Sequence, residues 1–338
     1  MRIILDHLVD TLNQGESAVI GGIVRSSGSA PRTSGAWLLA GKGGLLAGSV
    51  GGGVVEGACL KKAMQLLQGQ ETSAVLSFSL TDQSPAESGM VCGGSIDVIL
   101  VRVEPEQAPL FNRLQQGFHL KSRPLLLTFL PQEGHQVRFA VVDEDADDDV
   151  PAALRQQVLQ KSNRTPFLLS HNGREVFVEP LVHPGTVHLV GGGHVALATA
   201  QLAAFVGFTV KVMDDRPEFA DPARFPQAEE VRVVPGFEQC FGEQVGAADY
   251  LIAATRAHQY DREVLAQALR TEAGYIGMIG SRRKRQAIYT LLQEEGFRPA
   301  DLDRVHCPIG LTIGAETPQE IAVSIVAELV QVRADTMS

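Results

Sequence analysis

Gly191-Gly192-Gly193-His194-Val195-Ala196 is the segment that most constrains how this chain can fold. It follows a short apolar run at 187–190 and opens an Ala- and Leu-rich stretch at 195–206, so its glycines stand at a strand-to-helix junction. The string fits G-x-G-x-x-A. In that pattern glycine permits a tight turn and a close backbone approach, and the free N–H groups of the first helical turn favour phosphate. Asp214 ends the next apolar run at 209–213, where an acid can hold a ribose hydroxyl. The same glycines also suit a fold that only packs strand tightly against helix. Both readings start from the same nucleotide-type unit.

Alternation of strand and helix patterns continues from there. Strand patterns at 231–234, 250–253 and 275–279 enclose a helical pattern at 261–269, which predicts a doubly wound parallel sheet. The last helix is announced by Thr317 as N-cap, Pro318 at its first position and Glu320 three residues after Thr317. The N-terminal half reads differently. It has a helix from Ile4 to Leu12, a strand at 17–25, a hairpin around Gly41-Lys42-Gly43-Gly44, a helix at 54–67 and strands at 74–79, 96–103, 124–130 and 137–142. Six acids fill seven positions from Asp143 to Asp149, a run that repels itself and reads as a solvated loop or linker. The stretch 151–184 carries one short helix and one or two strands. The fold class is therefore α/β: an N-terminal α/β domain at 1–142, an acidic linker and connecting segment at 143–184, and a Rossmann-like doubly wound domain at 185–338. Two domains also suit a length of 338 residues.

Composition narrows the function. A formal charge of −10 argues against non-specific nucleic-acid binding, which needs a basic footprint. No stretch approaches the roughly 18–20 unbroken apolar residues of a membrane span. The N-terminus carries Asp6, His7 and Asp10 inside its apolar pattern, unlike a signal peptide, so a cytoplasmic protein is expected. The four cysteines, Cys59, Cys92, Cys240 and Cys307, form no C-x-x-C pair.

Several further segments have the residue types of a binding site. Thr255-Arg256-Ala257-His258 and Gly280-Ser281-Arg282-Arg283-Lys284-Arg285 each follow a predicted strand. In an open α/β sheet, ligands bind beyond the carboxyl ends of strands, so Gly191, Gly193, His194, Asp214, Arg256, His258, Ser281 and Arg282 are candidates for one crevice. Four consecutive cations at a helix start oppose the dipole preference, a conflict that a bound anion or surrounding acids would relieve. In the N-terminal half, Gly51, Gly52 and Gly53 precede a helix, with Glu56 one turn in. Arg32 follows a Gly-Ser-Ala-Pro turn, and Cys92 with Gly93 lies in a Gly-flanked loop that could lower a thiol pKa or simply close a turn. Cys59 reads as core, and Cys240 and Cys307 as structural. No acid/base pair or metal triad is recognisable.

Taken in order, these segments resemble the xanthine dehydrogenase accessory factor family (XdhC/CoxI). The resemblance runs through Gly28-Ser29-Ala30-Pro31-Arg32, Gly48-Ser49-Val50-Gly51-Gly52-Gly53-Val54-Val55-Glu56, Met90-Val91-Cys92-Gly93-Gly94 and Gly193-His194-Val195-Ala196. It continues through Asp214-Asp215-Arg216-Pro217-Glu218, Thr255-Arg256-Ala257-His258, Ile279-Gly280-Ser281-Arg282-Arg283-Lys284 and Ile313-Gly314-Ala315-Glu316-Thr317-Pro318. Thr312 and Cys307 depart from residues common in the family. The resemblance implies a family-specific N-terminal domain, a C-terminal Rossmann domain and a homodimer. It implies binding of molybdenum cofactor, as molybdopterin or its cytidine dinucleotide form, protection during sulfuration, and delivery to a xanthine dehydrogenase-type molybdenum hydroxylase. Sulfur would come from a cysteine desulfurase. The resemblance implies a cofactor chaperone and leaves open whether the chain has any catalytic activity of its own. The residues read alone leave a second function open: an NAD(P)-dependent oxidoreductase, with a nucleotide at the Rossmann site.

Overall fold

The central N-terminal strands, at 18–24, 37–41 and 96–101, are apolar at nearly every position because both of their faces are covered. The computed structural model describes residues 2–28, 35–79, 94–119, 122–143, 150–162, 165–242 and 245–335. It divides into two units, 1–183 and 184–338. In the first unit, helix α1 (Arg2–Asn13) leads into β1 (Ala18–Ser27), the hairpin β2 (Trp37–Gly41) and β3 (Gly44–Gly48), helix α2 (Gly53–Gln68), and strands β4 (Ser73–Ser79) and β5 (Ser95–Val103). These strands form an antiparallel sheet in the order β3-β2-β1-β5-β4. The period of two sorts its side chains. Val19, Ile23, Val98 and Leu100 pack under Val55, Cys59, Ala63 and Leu66 of α2, whereas Ile20, Val24, Ile99 and Val101 join α1 on the other face. Each such fully buried aliphatic contributes about 1.5–3 kcal/mol.

Helix α3 (Ala108–His119) follows, then β6 (Leu125–Phe129), β7 (Arg138–Val142), α4 (Ala152–Lys161), β8 (Phe167–His171) and β9 (Arg174–Pro180). The four strands form a second antiparallel sheet, β7-β6-β9-β8. Its one face shares the core of α1 and α3, and its other face covers Leu154 and Val158 of α4. The segment 143–184, read from sequence as an acidic linker and connecting stretch, thus supplies a helix and two strands to this sheet. Positions 144–149 of the acidic run lie outside the described residues.

The second unit is a six-stranded parallel sheet in the order β12-β11-β10-β13-β14-β15. Its strands are β10 (Thr186–Val190), β11 (Thr209–Asp214), β12 (Glu230–Val233), β13 (Asp249–Ala253), β14 (Tyr275–Met278) and β15 (Val305–His306). Helices α5 (His194–Phe205), α6 (His258–Ala268), α7 (Arg282–Glu294), α8 (Pro299–Leu302) and α9 (Pro318–Asp335) connect or follow them. The strand order reverses direction on either side of β10, which puts the topological switch between β10 and β13. The expected start of α9 is present. Glu320 accepts from the Thr317 and Glu316 N–H groups at 2.9 Å, and its own N–H donates to the Thr317 hydroxyl at 3.2 Å. Among the described residues, no helix is long and apolar enough to cross a membrane.

Candidate functional site

Because β10, β13 and β14 are neighbours and parallel, their carboxyl ends share one edge of the sheet. The segments leaving that edge carry Gly191, Gly193 and His194 after β10, Arg256 and His258 after β13, and Ser281 and Arg282 after β14. The glycines divide their labour. A Cβ at Gly191, where φ is +111°, would collide with the Ala254 carbonyl, and one at Gly192 with the Phe219 carbonyl. A Cβ at Gly193 would meet nothing within 4 Å. The first two therefore serve close packing, and the third leaves open space at the start of α5. No side chain caps that helix and no acid occupies its first turn, so its leading N–H groups and exposed His194 are available to an anion.

Asp214 does not stand ready for a ribose hydroxyl. It is 1% exposed. One carboxylate oxygen accepts the Gly192 N–H at 2.8 Å and Arg216 Nη2 at 3.1 Å, and the other accepts the Arg216 N–H at 3.0 Å and Nε at 2.9 Å. Burial alone would raise its pKa, but the Arg216 guanidinium and these N–H groups outweigh it and hold the carboxyl below its ordinary value. The acid that the fingerprint assigns to a ligand is spent on fixing the glycine loop. Arg224 completes the fixing by donating to the Gly192 and Phe219 carbonyls at 3.0 and 2.9 Å.

Neighbouring Asp215 receives both terminal nitrogens of Arg256, each at 2.6 Å, and the Arg256 guanidinium lies 5.2 Å from the Tyr260 ring centre. The segment carrying Arg256 and His258 is tied down from below. Asp261, fully buried, accepts the Thr255 N–H at 3.1 Å and hydroxyl at 2.8 Å, and pairs with Lys284. The four-cation run therefore splits. Lys284 also donates to the Ile279 carbonyl at 2.9 Å and Arg285 to the Cys307 carbonyl at 2.9 Å, whereas Arg282 and Arg283 are exposed. Surrounding protein groups relieve half of the conflict with the helix dipole. Ser281 acts as the N-cap of α7, accepting the Lys284 N–H at 3.2 Å. A 510 Å³ groove between α6 and α7 is lined by His258, Ser281, Arg283 and Leu291 among others.

In the first unit, Gly51, Gly52 and Gly53 all have positive φ and lead into α2, whose first turn contains Glu56. Oε2 of Glu56 is buried without a hydrogen-bond partner among the described residues. Arg32, Cys92 and Gly93 lie outside the described residues. The remaining cysteines are buried and free. Burial pushes the thiols of Cys59 and Cys240 up to about 12 and that of Cys307 to about 11, which makes them inert packing groups. Sequence reasoning passed over Asp215, Arg216 and Arg224 as working residues. The Asp214-Asp215-Arg216 triplet at a strand end was the signal for the first two.

A parallel sheet whose strand order reverses and a glycine loop at its switch point define a Rossmann-type domain. Comparison with known families agrees and goes further. Residues 187–329 match the XdhC Rossmann domain, and residues 11–79 match the XdhC and CoxI family. The chain belongs to the XdhC and CoxI family. Along 334 residues it is 29% identical to a probable xanthine dehydrogenase subunit of Bacillus subtilis (strain 168), covering 95% of each chain. Along 337 residues it is 26% identical to the molybdenum cofactor insertion chaperone PaoD of Escherichia coli (strain K12), covering 98% of this chain and 88% of that one. A crystal structure from Bacillus halodurans, described as a xanthine dehydrogenase, shares the fold with a TM-score of 0.79 at 24% identity, over 98% of this chain and 96% of that one.

Proposed function

We propose that the protein is a xanthine dehydrogenase accessory factor that carries molybdenum cofactor as cargo. In this reading it shields the cofactor while a terminal sulfido ligand is installed with sulfur from a cysteine desulfurase. It then hands the cofactor to a xanthine dehydrogenase-type molybdenum hydroxylase. The observation that carries the proposal is the likeness, along 98% of the chain, to a protein named a molybdenum cofactor insertion chaperone.

The site chemistry supports it. Molybdopterin carries a phosphate and its cytidine dinucleotide form a pyrophosphate. The open space at Gly193, the uncapped start of α5 and the Arg256 fork are donors and room for either. His194, His258, Ser281 and Arg282 stand along the same edge as further donors. In the N-terminal unit, Gly51–Gly53, Glu56, Arg32, Cys92 and Gly93 are proposed contacts to the cargo. The cargo brings the metal and its sulfido ligand. The residues of this chain bind, orient and release it. A homodimer is the proposed assembly.

An NAD(P)-dependent oxidoreductase is the less favoured reading, because Asp214 has no carboxylate oxygen left for a ribose. Calorimetric titration with NAD(H) and NADP(H) separates the two: tight binding with turnover would replace the carrier proposal. For the carrier, the purified protein should retain molybdenum cofactor stoichiometrically and activate an apo-hydroxylase, and Cys92→Ala should weaken cofactor binding or sulfuration. No retention and no activation would sink it.

A further inference from the structure

The Arg256–Asp215 ion pair lies at the carboxyl edge of the parallel sheet. Asp215 directly follows β11 and Arg256 follows β13, and these two strands flank β10. The pair therefore crosses the carboxyl end of β10, where Gly191–Gly193 leaves the sheet. The loop beneath is gripped on both sides. Gly192 donates to Asp214 on one flank, and Gly191 lies against the Ala254 carbonyl on the other.

Two acid–arginine pairs at this edge differ in kind. In Asp214–Arg216 the acid side chain is 2% exposed, and its oxygens are filled by three N–H donors of Arg216 and one of Gly192. In Asp215–Arg256 the side chains are 17% and 40% exposed. The second pair is within reach of solvent and of a ligand. The guanidinium fork pairs as well with a phosphate as with a carboxylate. Arg216 Nε lies 3.8 Å from Asp215 Oδ1, so Asp215 keeps a cationic neighbour when Arg256 turns away.

We propose that Arg256–Asp215 is a clasp over the glycine loop, in which Asp215 competes with a phosphate or pyrophosphate for the Arg256 fork and so sets how readily the cleft releases anionic cargo. This rests on the reading of the cleft as an anion-binding site. No bond is made or broken covalently; one ion pair is exchanged for another. A carrier must let go as well as hold, and an internal carboxylate that retakes the guanidinium supplies the opposing half of that exchange.

The test is calorimetric titration of the full chain with inorganic pyrophosphate at fixed ionic strength, for wild type, Asp215→Asn, Arg256→Ala and the double variant. Thermal melts establish that each is folded, and Asp215→Ala serves as a second probe of the same position. Asp215→Asn should bind about threefold to tenfold more tightly than wild type. Arg256→Ala should bind more weakly, and in its background Asp215→Asn should gain little. No gain from Asp215→Asn, while Arg256→Ala still weakens binding, overturns the clasp and leaves the anion site standing. An equal gain in both backgrounds also overturns it, since that is plain charge repulsion. Absence of pyrophosphate binding in every variant overturns both.

Discussion

Each unit starts a helix from three glycines, and each buries a carboxylic acid, yet the two arrangements have opposite electrostatics. Before α2, Gly51, Gly52 and Gly53 all take positive φ, and Glu56 places a carboxylate in the first turn, satisfying the helix dipole from within. Before α5, only Gly191 takes positive φ, no acid occupies the first turn, and Arg256 stands nearby on the same edge. The buried acids differ as well. Asp214 is kept charged by Arg216 and the Gly192 N–H. Glu179 is 4% exposed, burial pushes its pKa up to about 8, and only Trp37 donates to it among the described residues, leaving Oε2 unpartnered. The same sequence pattern, glycines at a helix start, thus leaves the first turn without an acid in one unit and carries Glu56 in it in the other.

The sharpest challenge to this contrast is Asp214→Asn. It weakens the hydrogen bonds that Arg216 and the Gly192 N–H make to this side chain, while Arg216 keeps Asp215 at 3.8 Å, and should cost about 1–3 kcal/mol in urea unfolding. Because its folded pKa lies below the ordinary 3.8, the wild-type contribution is complete above that value and is lost as pH falls through the lower folded value. Gly191→Ala forces both a strained φ and a collision with the Ala254 carbonyl, and should cost about 2–4 kcal/mol by the same assay.

Glu179 should show the reverse pH dependence. A folded pKa of about 8 against an ordinary 4.5 means that the folded state holds the proton longer than the unfolded chain. Stability from this group is complete below 4.5 and declines as pH rises to about 8, by up to about 5 kcal/mol. Glu179→Gln should flatten that decline. Trp37, the single tryptophan, donates to Glu179 and reports on it by fluorescence during unfolding. Gly193→Ala has the smallest effect on the fold, less than about 1 kcal/mol, since φ is −66° and the space is open. It should nonetheless weaken pyrophosphate binding, because the added methyl fills that space. A stable Gly193→Ala with unchanged anion affinity would break the comparison.

Much of the parallel sheet was legible because its strands are continuous apolar runs separated by helical stretches. The capping residues of α9 were readable for the same local reason. Helix α3 carries Ala108, Phe111, Leu114 and Phe118 at helical spacing, but Pro109 and Gly117, residue types that disfavour helix interiors, interrupt the pattern; the first sits in the opening turn and the second packs beside Asp143 and Pro124. β15 is two residues long and carries no period. At the site, the sequence placed His194, Arg256, His258, Ser281 and Arg282 on one edge. It could not reveal that Asp214 turns inward or that Arg256 pairs with Asp215, because those contacts join residues 22 and 41 positions apart.

At the centre stands the proposal that this chain holds molybdenum cofactor, with the cofactor's phosphate end at the cleft of the second unit. Mass analysis of cofactor co-purified from cells supplied with molybdate, on wild type and Arg256→Ala in parallel, tests it most directly. The wild-type protein should carry stoichiometric cofactor, and the folded variant should show marked loss. Wild-type protein that emerges without cofactor, or a variant that retains it fully, would contradict the proposal.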